Sequence, residues 1–299
     1  MPVHERLYRR LEVRPPERTV FGALPLAAYG YRYARGKMFW IIRVLSFIPA
    51  IGIGFLCYQL GSNPALQRNL PMFGGPTEAL TPEAWRTNLG PYIVVFLGQQ
   101  IWFANFMAAV VGAGAVAEDL RCHALELYFS KPINGLGYAT GRFLQVWRAV
   151  AIVEAAPVLV VIAAAFSFLK GCSENCKGFA VEMVLAALAI SAVQSILVLG
   201  CSALFRRTRN AVLGWFGISI ITGLMSAIFR GTTDDPRFEL LSLGQNLAHL
   251  GADIIGVAVS ADPAETADWS AGASYAVLGG WILLAIFLIH RRFREVGRA

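Results

Sequence analysis

Charge is what this chain has least of. Only 15% of its 299 residues are Asp, Glu, Lys or Arg, against 56% hydrophobic, and its mean hydropathy is +0.55. An ordinary soluble domain of this length carries more charge than that, so that class is excluded. Histidine is nearly missing: His4, His123, His249 and His290 are scattered, with no His-Glu-x-x-His and no ligand spacing, so no metal site is expected. There is no Gly-x-x-x-x-Gly-Lys-Ser/Thr loop to cradle a phosphate and no Gly-x-Ser-x-Gly turn to present a nucleophile. The chain is therefore expected to be non-catalytic and to bind no cofactor itself. Internal repeats and low-complexity tracts are absent too. Residues Met1 to Val20 are rich in Arg and Glu and lack the apolar core of a cleavable signal, so the first apolar segment is expected to direct insertion.

What is present is six apolar stretches. Crossing about 30 Å of hydrocarbon takes roughly 20 apolar residues. Phe39 to Leu60, Pro91 to Val116, Phe143 to Phe168, Phe179 to Phe205, Ala211 to Phe229 and Ser274 to His290 meet or approach that length. The expectation is an all-α polytopic membrane protein: a tail with an interfacial helix over 1–37, one six-span domain over 38–290, and a short tail over 291–299. Arg43 lies one turn into the first span, where its long side chain can reach the surface.

The net charge of +7 raises the question of nucleic acid, but the bases sit beside the apolar runs, and nucleic-acid binding is rejected. Of the 26 Lys and Arg residues, 20 fall on one side of a six-span topology, leaving Arg68, Arg86, Lys170, Lys177, Arg230 and Arg237 on the other. That asymmetry predicts both termini in the cytoplasm. Between Leu24 and Lys37, Tyr29, Tyr31 and Tyr33 alternate with Arg32 and Arg35, which suits either a helix lying among lipid headgroups or a simple basic flank.

The external segments are uneven in content. Residues 61–90 contain Pro64, Pro71, Pro76 and Pro82 and read as an irregular loop with one short helix starting near Pro82. The short loop from Lys170 to Gly178 holds Cys172 and Cys176, either a disulfide in an oxidising compartment, two free thiols or an incidental metal pair. Cys57, Cys122 and Cys201 read as small packing residues. From 230 to 273 the chain is acidic, and Leu240, Leu243, Leu247, Leu250 and Ile254 trace an amphipathic helix too polar to cross alone.

Polar residues inside the spans are candidates for a translocation path, since an ionised group in lipid costs several kcal/mol. Glu154 is the sharpest, with Arg148 too far along its helix to face it; Gln99, Gln100 and Gln194 follow. A role in joining helices is the competing reading for each.

The densest charged stretch is residues 117–143, AEDLRCHALELYFSKPINGLGYATGRF. It predicts a short helix up to Tyr128, broken by Pro132 and loosened by Gly135, Gly137 and Gly141 before the next apolar run at Phe143. The order Glu118-Asp119, Arg121, Ala124-Leu125-Glu126-Leu127, Ser130-Lys131-Pro132-Ile133, Tyr138 and Gly141-Arg142-Phe143 resembles the cytoplasmic coupling loop of type-2 ABC export permeases, departing from it at Cys122-His123. The competing reading is an ordinary solvated loop.

The resemblance implies a type-2 ABC exporter transmembrane-domain fold with six transmembrane helices in a bacterial or archaeal cytoplasmic (inner) membrane. It also implies a homodimer or a pairing with a related permease. A separately encoded ABC ATPase subunit would carry ATP and Mg. Glu118, Asp119, Arg121, Glu126, Tyr128, Lys131, Pro132 and Arg142 would couple the two subunits, and the 230–273 segment would dip back into the outer leaflet. Two other classes stay open: an ion-coupled secondary transporter using Glu154, and a non-transporting membrane anchor of a signalling or assembly complex.

Overall fold

The computed structural model describes residues 36–63, 82–124, 135–169, 172–233, 235–257 and 271–296. The basic tail, its interfacial helix up to residue 35, and the loop residues Glu126, Tyr128, Lys131 and Pro132 lie outside these. Among the described residues every regular element is helical, and six helical stretches are long and apolar enough to cross a membrane: Lys37–Ser62, Leu89–Arg121, Gly135–Phe168, Lys177–Leu204, Thr208–Thr233 and Gly272–Glu295. The chain is a multi-pass membrane protein, and these are spans 1 to 6.

Spans 1 and 2 are each broken. Span 1 consists of α1 (Lys37–Leu45) and α2 (Phe47–Ser62), jointed at Ser46, whose hydroxyl donates to the Arg43 carbonyl at 2.8 Å. Span 2 consists of α3 (Pro82–Val111) and α4 (Ala113–Arg121), jointed at Gly112. Pro82 opens α3 at the position where its missing amide costs nothing. Pro91, expected to start the span, is instead carried inside α3, so the helix begins nine residues earlier. Span 3 is α5 (Gly135–Phe168), span 4 is α7 (Lys177–Leu204), and the single turn α6 (Cys172–Asn175) lies between them. Span 5 is α8 (Thr208–Thr233) and span 6 is formed by α10 (Ala271–Val296).

Gly135, Gly137 and Gly141 do not loosen the chain as expected. They belong to α5, which starts eight residues before Phe143. A glycine costs a helix only about 1 kcal/mol. Here Gly137 and Gly141 share the buried face of α5 with Tyr138, Arg142 and Gln145, and that packing decides the conformation.

Spans 2, 3 and 4 form the centre, with 50–61% of their most apolar windows inside the chain, against 11–22% for spans 1, 5 and 6. Lipid tails are as apolar as leucine, so close backbone approach must supply the helix contacts. At Gly200 in span 4, an added Cβ would lie 2.5 Å from the Ala285 Cβ of span 6; at Gly61 it would lie 2.0 Å from the Phe168 carbonyl oxygen of span 3. Both contacts exist because a side chain is missing.

Between spans 5 and 6 the amphipathic helix is present but shorter than its leucine pattern. A 3-10 turn (Pro236–Leu241) is capped by Asp235, and α9 (Leu243–Ile254) is capped by the Ser242 hydroxyl, which accepts from the Gln245 amide at 3.3 Å. Leu240 thus falls outside the helix. At twelve residues α9 is about 18 Å long, too short to cross. It buries Leu243, Leu247 and Leu250 and packs against spans 2, 4, 5 and 6.

Candidate functional site

The two helices that flank the charged loop are tied together at its base. Asp119, near the end of α4, accepts three hydrogen bonds on one oxygen, Oδ2. They come from the Tyr138 hydroxyl, from Arg142 Nε at 3.0 Å and from Arg142 Nη2. Arg142 Nη1 donates in turn to Gln145 Oε1 at 2.8 Å, and its guanidinium lies 5.6 Å over the Tyr138 ring. The spacing Tyr138, Arg142, Gln145 places all three on one face of α5. Phe293 of span 6 meets the Tyr138 ring edge-on at 5.2 Å. Asp119 and Arg142 are each 8% exposed and Tyr138 is fully buried. A charged pair is affordable at this depth because its hydrogen bonds are filled.

On the same turn, the surface face of α4 has a second cluster. Glu118 accepts from Arg121 and, at 3.2 Å, from the Thr208 hydroxyl at the start of span 5. Of the expected coupling residues, the structure therefore separates Asp119 and Arg142, inside the base of the loop, from Glu118 and Arg121, on its surface. Cys122 donates to Glu118 Oε1 at 3.7 Å, and His123 follows in the left-handed region (φ 53°), where the chain leaves the helix. The α4 helix ends at Arg121, Ala124 is helical again, and residues 125–128 of the helix expected up to Tyr128 lie outside the described residues.

The joint at Gly112 is filled by a residue that sequence reasoning missed. Ser202 of span 4 donates its hydroxyl proton to the Ala113 carbonyl at 2.7 Å and accepts from the amides of Val116 and Ala117 at 3.1 and 3.0 Å. Val116 closes the first turn of α4, where amides lack a partner within their own helix, and Ala117 lies one residue beyond it. A lone serine in an apolar run gave no sign of this.

Further along the spans lies a buried polar layer. Gln100 donates to the Ser46 carbonyl at 2.9 Å, at the span 1 joint, and Gln194 donates to the Ile101 carbonyl at 3.2 Å and to Asn105 at 3.4 Å. The Trp215 indole donates to the Asn105 carbonyl, and the Trp147 indole donates to Ser191. Glu154 is 1% exposed, lies beside the Ser191 backbone, and among the described residues neither carboxyl oxygen has a hydrogen-bond partner of good geometry. Gln99 differs from the other path candidates in facing outward from this chain. Asn105, Trp147 and Trp215 were not singled out from the sequence, although each carries a polar group within an apolar run.

At the opposite end from the loop, α9 is fastened to the spans. Arg86 donates to Glu182 of span 4 at 2.6 Å and to the Ile255 carbonyl at 3.2 Å, and Tyr275 of span 6 donates to Asp253 at 2.6 Å. Glu239 is gripped by Arg230 and lies 3.5 Å from His249 Nε2. Burial pushes the His249 imidazole down to about 4. The nearby carboxylate would act in the opposite direction, but Arg230 offsets its charge, and burial prevails. Because the folded state disfavours the charged form, this contribution to stability is full above the ordinary histidine range near 6.5 and is lost as pH falls towards 4. Protection factors across Leu243–Ile254, which remove the intrinsic slowing of amide exchange in acid, are expected to fall between pH 6.5 and 4.5, and His249→Gln is expected to flatten that dependence. An unchanged profile in the variant would assign the acid sensitivity elsewhere.

Cys172 and Cys176 are free thiols in hydrogen-bond contact, both buried. No protein-family model and no curated protein matches the chain. What the fold defines is therefore a class: a helical multi-pass membrane protein with a braced charged loop at one end and a fastened amphipathic helix at the other.

Proposed function

We propose that this chain is the permease subunit of an ABC exporter, pairing with itself or a related permease and driven by a separately encoded ATPase. The observation that carries this reading is the buried Asp119–Tyr138–Arg142 cluster. It fixes both ends of the loop to spans 2, 3 and 6, so a force applied to the loop moves helices rather than loop residues. The jointed α4, with Gly112 at its root, gives that force a rigid segment to turn. The type-2 fold, the cytoplasmic placement of the loop and both termini, and docking through Glu118, Arg121, Glu126 and Lys131 belong to the same proposal.

The test is to purify the tagged protein from its own host in mild detergent and identify the proteins that accompany it. A stoichiometric soluble ATPase is expected, and it is expected to be lost when Glu126 and Lys131 are both reversed in charge. An ATPase retained by that variant would sink the docking role, and no ATPase at all would sink the class. A second reading, proton-coupled transport, is favoured by one observation, the unpartnered carboxyl of Glu154 between spans 3 and 4.

A further inference from the structure

The sequence offered two nearby cysteines; the fold assembles four sulfur side chains. Cys57 of span 1, Cys172 of α6, Cys176 at the start of span 4 and Met183 one to two turns further are 1–3% exposed. They come from three separate elements and line one cavity of about 30 Å³ whose remaining wall, Tyr92 apart, is apolar, including Leu89, Phe166 and Phe179. Cys172 and Cys176 sit at either end of one helical turn, the Cys176 amide donating to the Cys172 carbonyl at 2.8 Å, so their thiols share a face and touch. Cys57 is close enough to act electrostatically on Cys172. The Cys172 thiol donates to the Cys176 sulfur, which raises the first thiol and lowers the second.

An apolar wall whose donors are three thiols, one thioether and a single phenol has a narrow range of ligands. Hard cations need oxygen, and structural zinc needs four ligands in a tetrahedron. Among the described residues no three His, Cys, Asp or Glu side chains converge as a ready ligand set. Two adjacent thiols with a thioether nearby suit a soft monovalent ion, which accepts low coordination and prefers sulfur. We propose that Cys172 and Cys176 bind one ion of the Cu(I) class, with Cys57 and Met183 forming its sulfur surroundings. On binding, two thiol protons leave, two metal–sulfur bonds form and no redox state changes. The site stands apart from the coupling reading and survives if that reading fails.

The experiment uses the full-length protein in detergent, kept reduced, in a Cys122→Ser background because Cys122 is exposed. It is titrated with Cu(I) against a chromogenic cuprous chelator, with sulfur-to-copper absorption as a second readout. One Cu(I) per chain is expected, lost in Cys172→Ser/Cys176→Ser. Cys57→Ser and Met183→Leu are each expected to weaken binding about tenfold, the usual scale for a supporting residue. Matching elution volumes and melting curves establish that the variants are folded. The proposal is overturned if the parent protein leaves all Cu(I) with the chelator, or if the double serine variant binds as the parent does. A Cys172–Cys176 disulfide that persists in reductant would overturn it equally.

Discussion

Arg142→Ala is expected to destabilise the protein by about 3–5 kcal/mol, the usual cost of leaving one member of a buried ion pair alone. Asp119 would keep only the Tyr138 hydroxyl as a donor, and Gln145 Oε1 would lose its partner. Asp119→Ala is expected to cost as much, stranding a guanidinium between spans 2 and 3. The combined effect is expected to be far from additive, because both substitutions break the same three-way contact. Asp119→Leu/Arg142→Met tests whether the cluster is there for stability or for coupling. Replacing a whole buried pair with apolar side chains is often neutral, so this double variant is expected to lose far less than either single one, falling short of the parent by the cost of leaving the Tyr138 hydroxyl and Gln145 Oε1 without partners. On the proposed function it nevertheless loses ATPase-linked transport, since the loop is no longer fixed to α5 by directional bonds. Melting curves of the three variants, with transport in vesicles, check the whole set. A double variant that transports normally would reduce the cluster to packing.

Glu154 carries the second large effect. Glu154→Lys is expected to abolish accumulation of folded protein, because the position is 1% exposed and neither oxygen of the native side chain has a partner to pass on to an ammonium. Centring a charge in hydrocarbon costs several kcal/mol even when the bilayer relaxes. Glu154→Gln keeps the size and removes the ionisable group, and under the ATP-driven reading it is expected to leave transport largely unchanged. If transport collapses in Glu154→Gln while the protein still melts like the parent, the proton-coupled reading takes its place. The measurement is substrate movement with an imposed proton gradient or with ATP, in the same vesicles.

The six spans were legible because a membrane helix announces itself through length and hydropathy, and those properties are local. The breaks inside spans 1 and 2 were not. Ser46 and Gly112 are unremarkable residues until Gln100 and Ser202 arrive from other helices to satisfy the freed backbone groups. For the same reason the start of α5 was misread: Gly135, Gly137 and Gly141 signal a loop to anything that weighs propensity alone. Asp119 and Arg142 were singled out by resemblance to a coupling loop, and the structure places them inside, which spacing along the chain could not decide. The sulfur cavity was half visible, as Cys172 and Cys176; Cys57 lies more than a hundred residues earlier and joins them only through the packing of span 1 against span 3.

The single hydroxyl of Ser202 serves three backbone groups of α4 at once, and this sets how that helix is able to travel. A slide of half a residue would break all three bonds to that buried hydroxyl together, at a cost of about 1 kcal/mol each. Partial displacement is therefore the least favourable position of all. The segment either rides with span 4 as one body or disengages completely, which makes Ser202 a detent: whatever pushes α4 is answered in whole steps, and small fluctuations at the loop are filtered out before they reach the centre of the bundle.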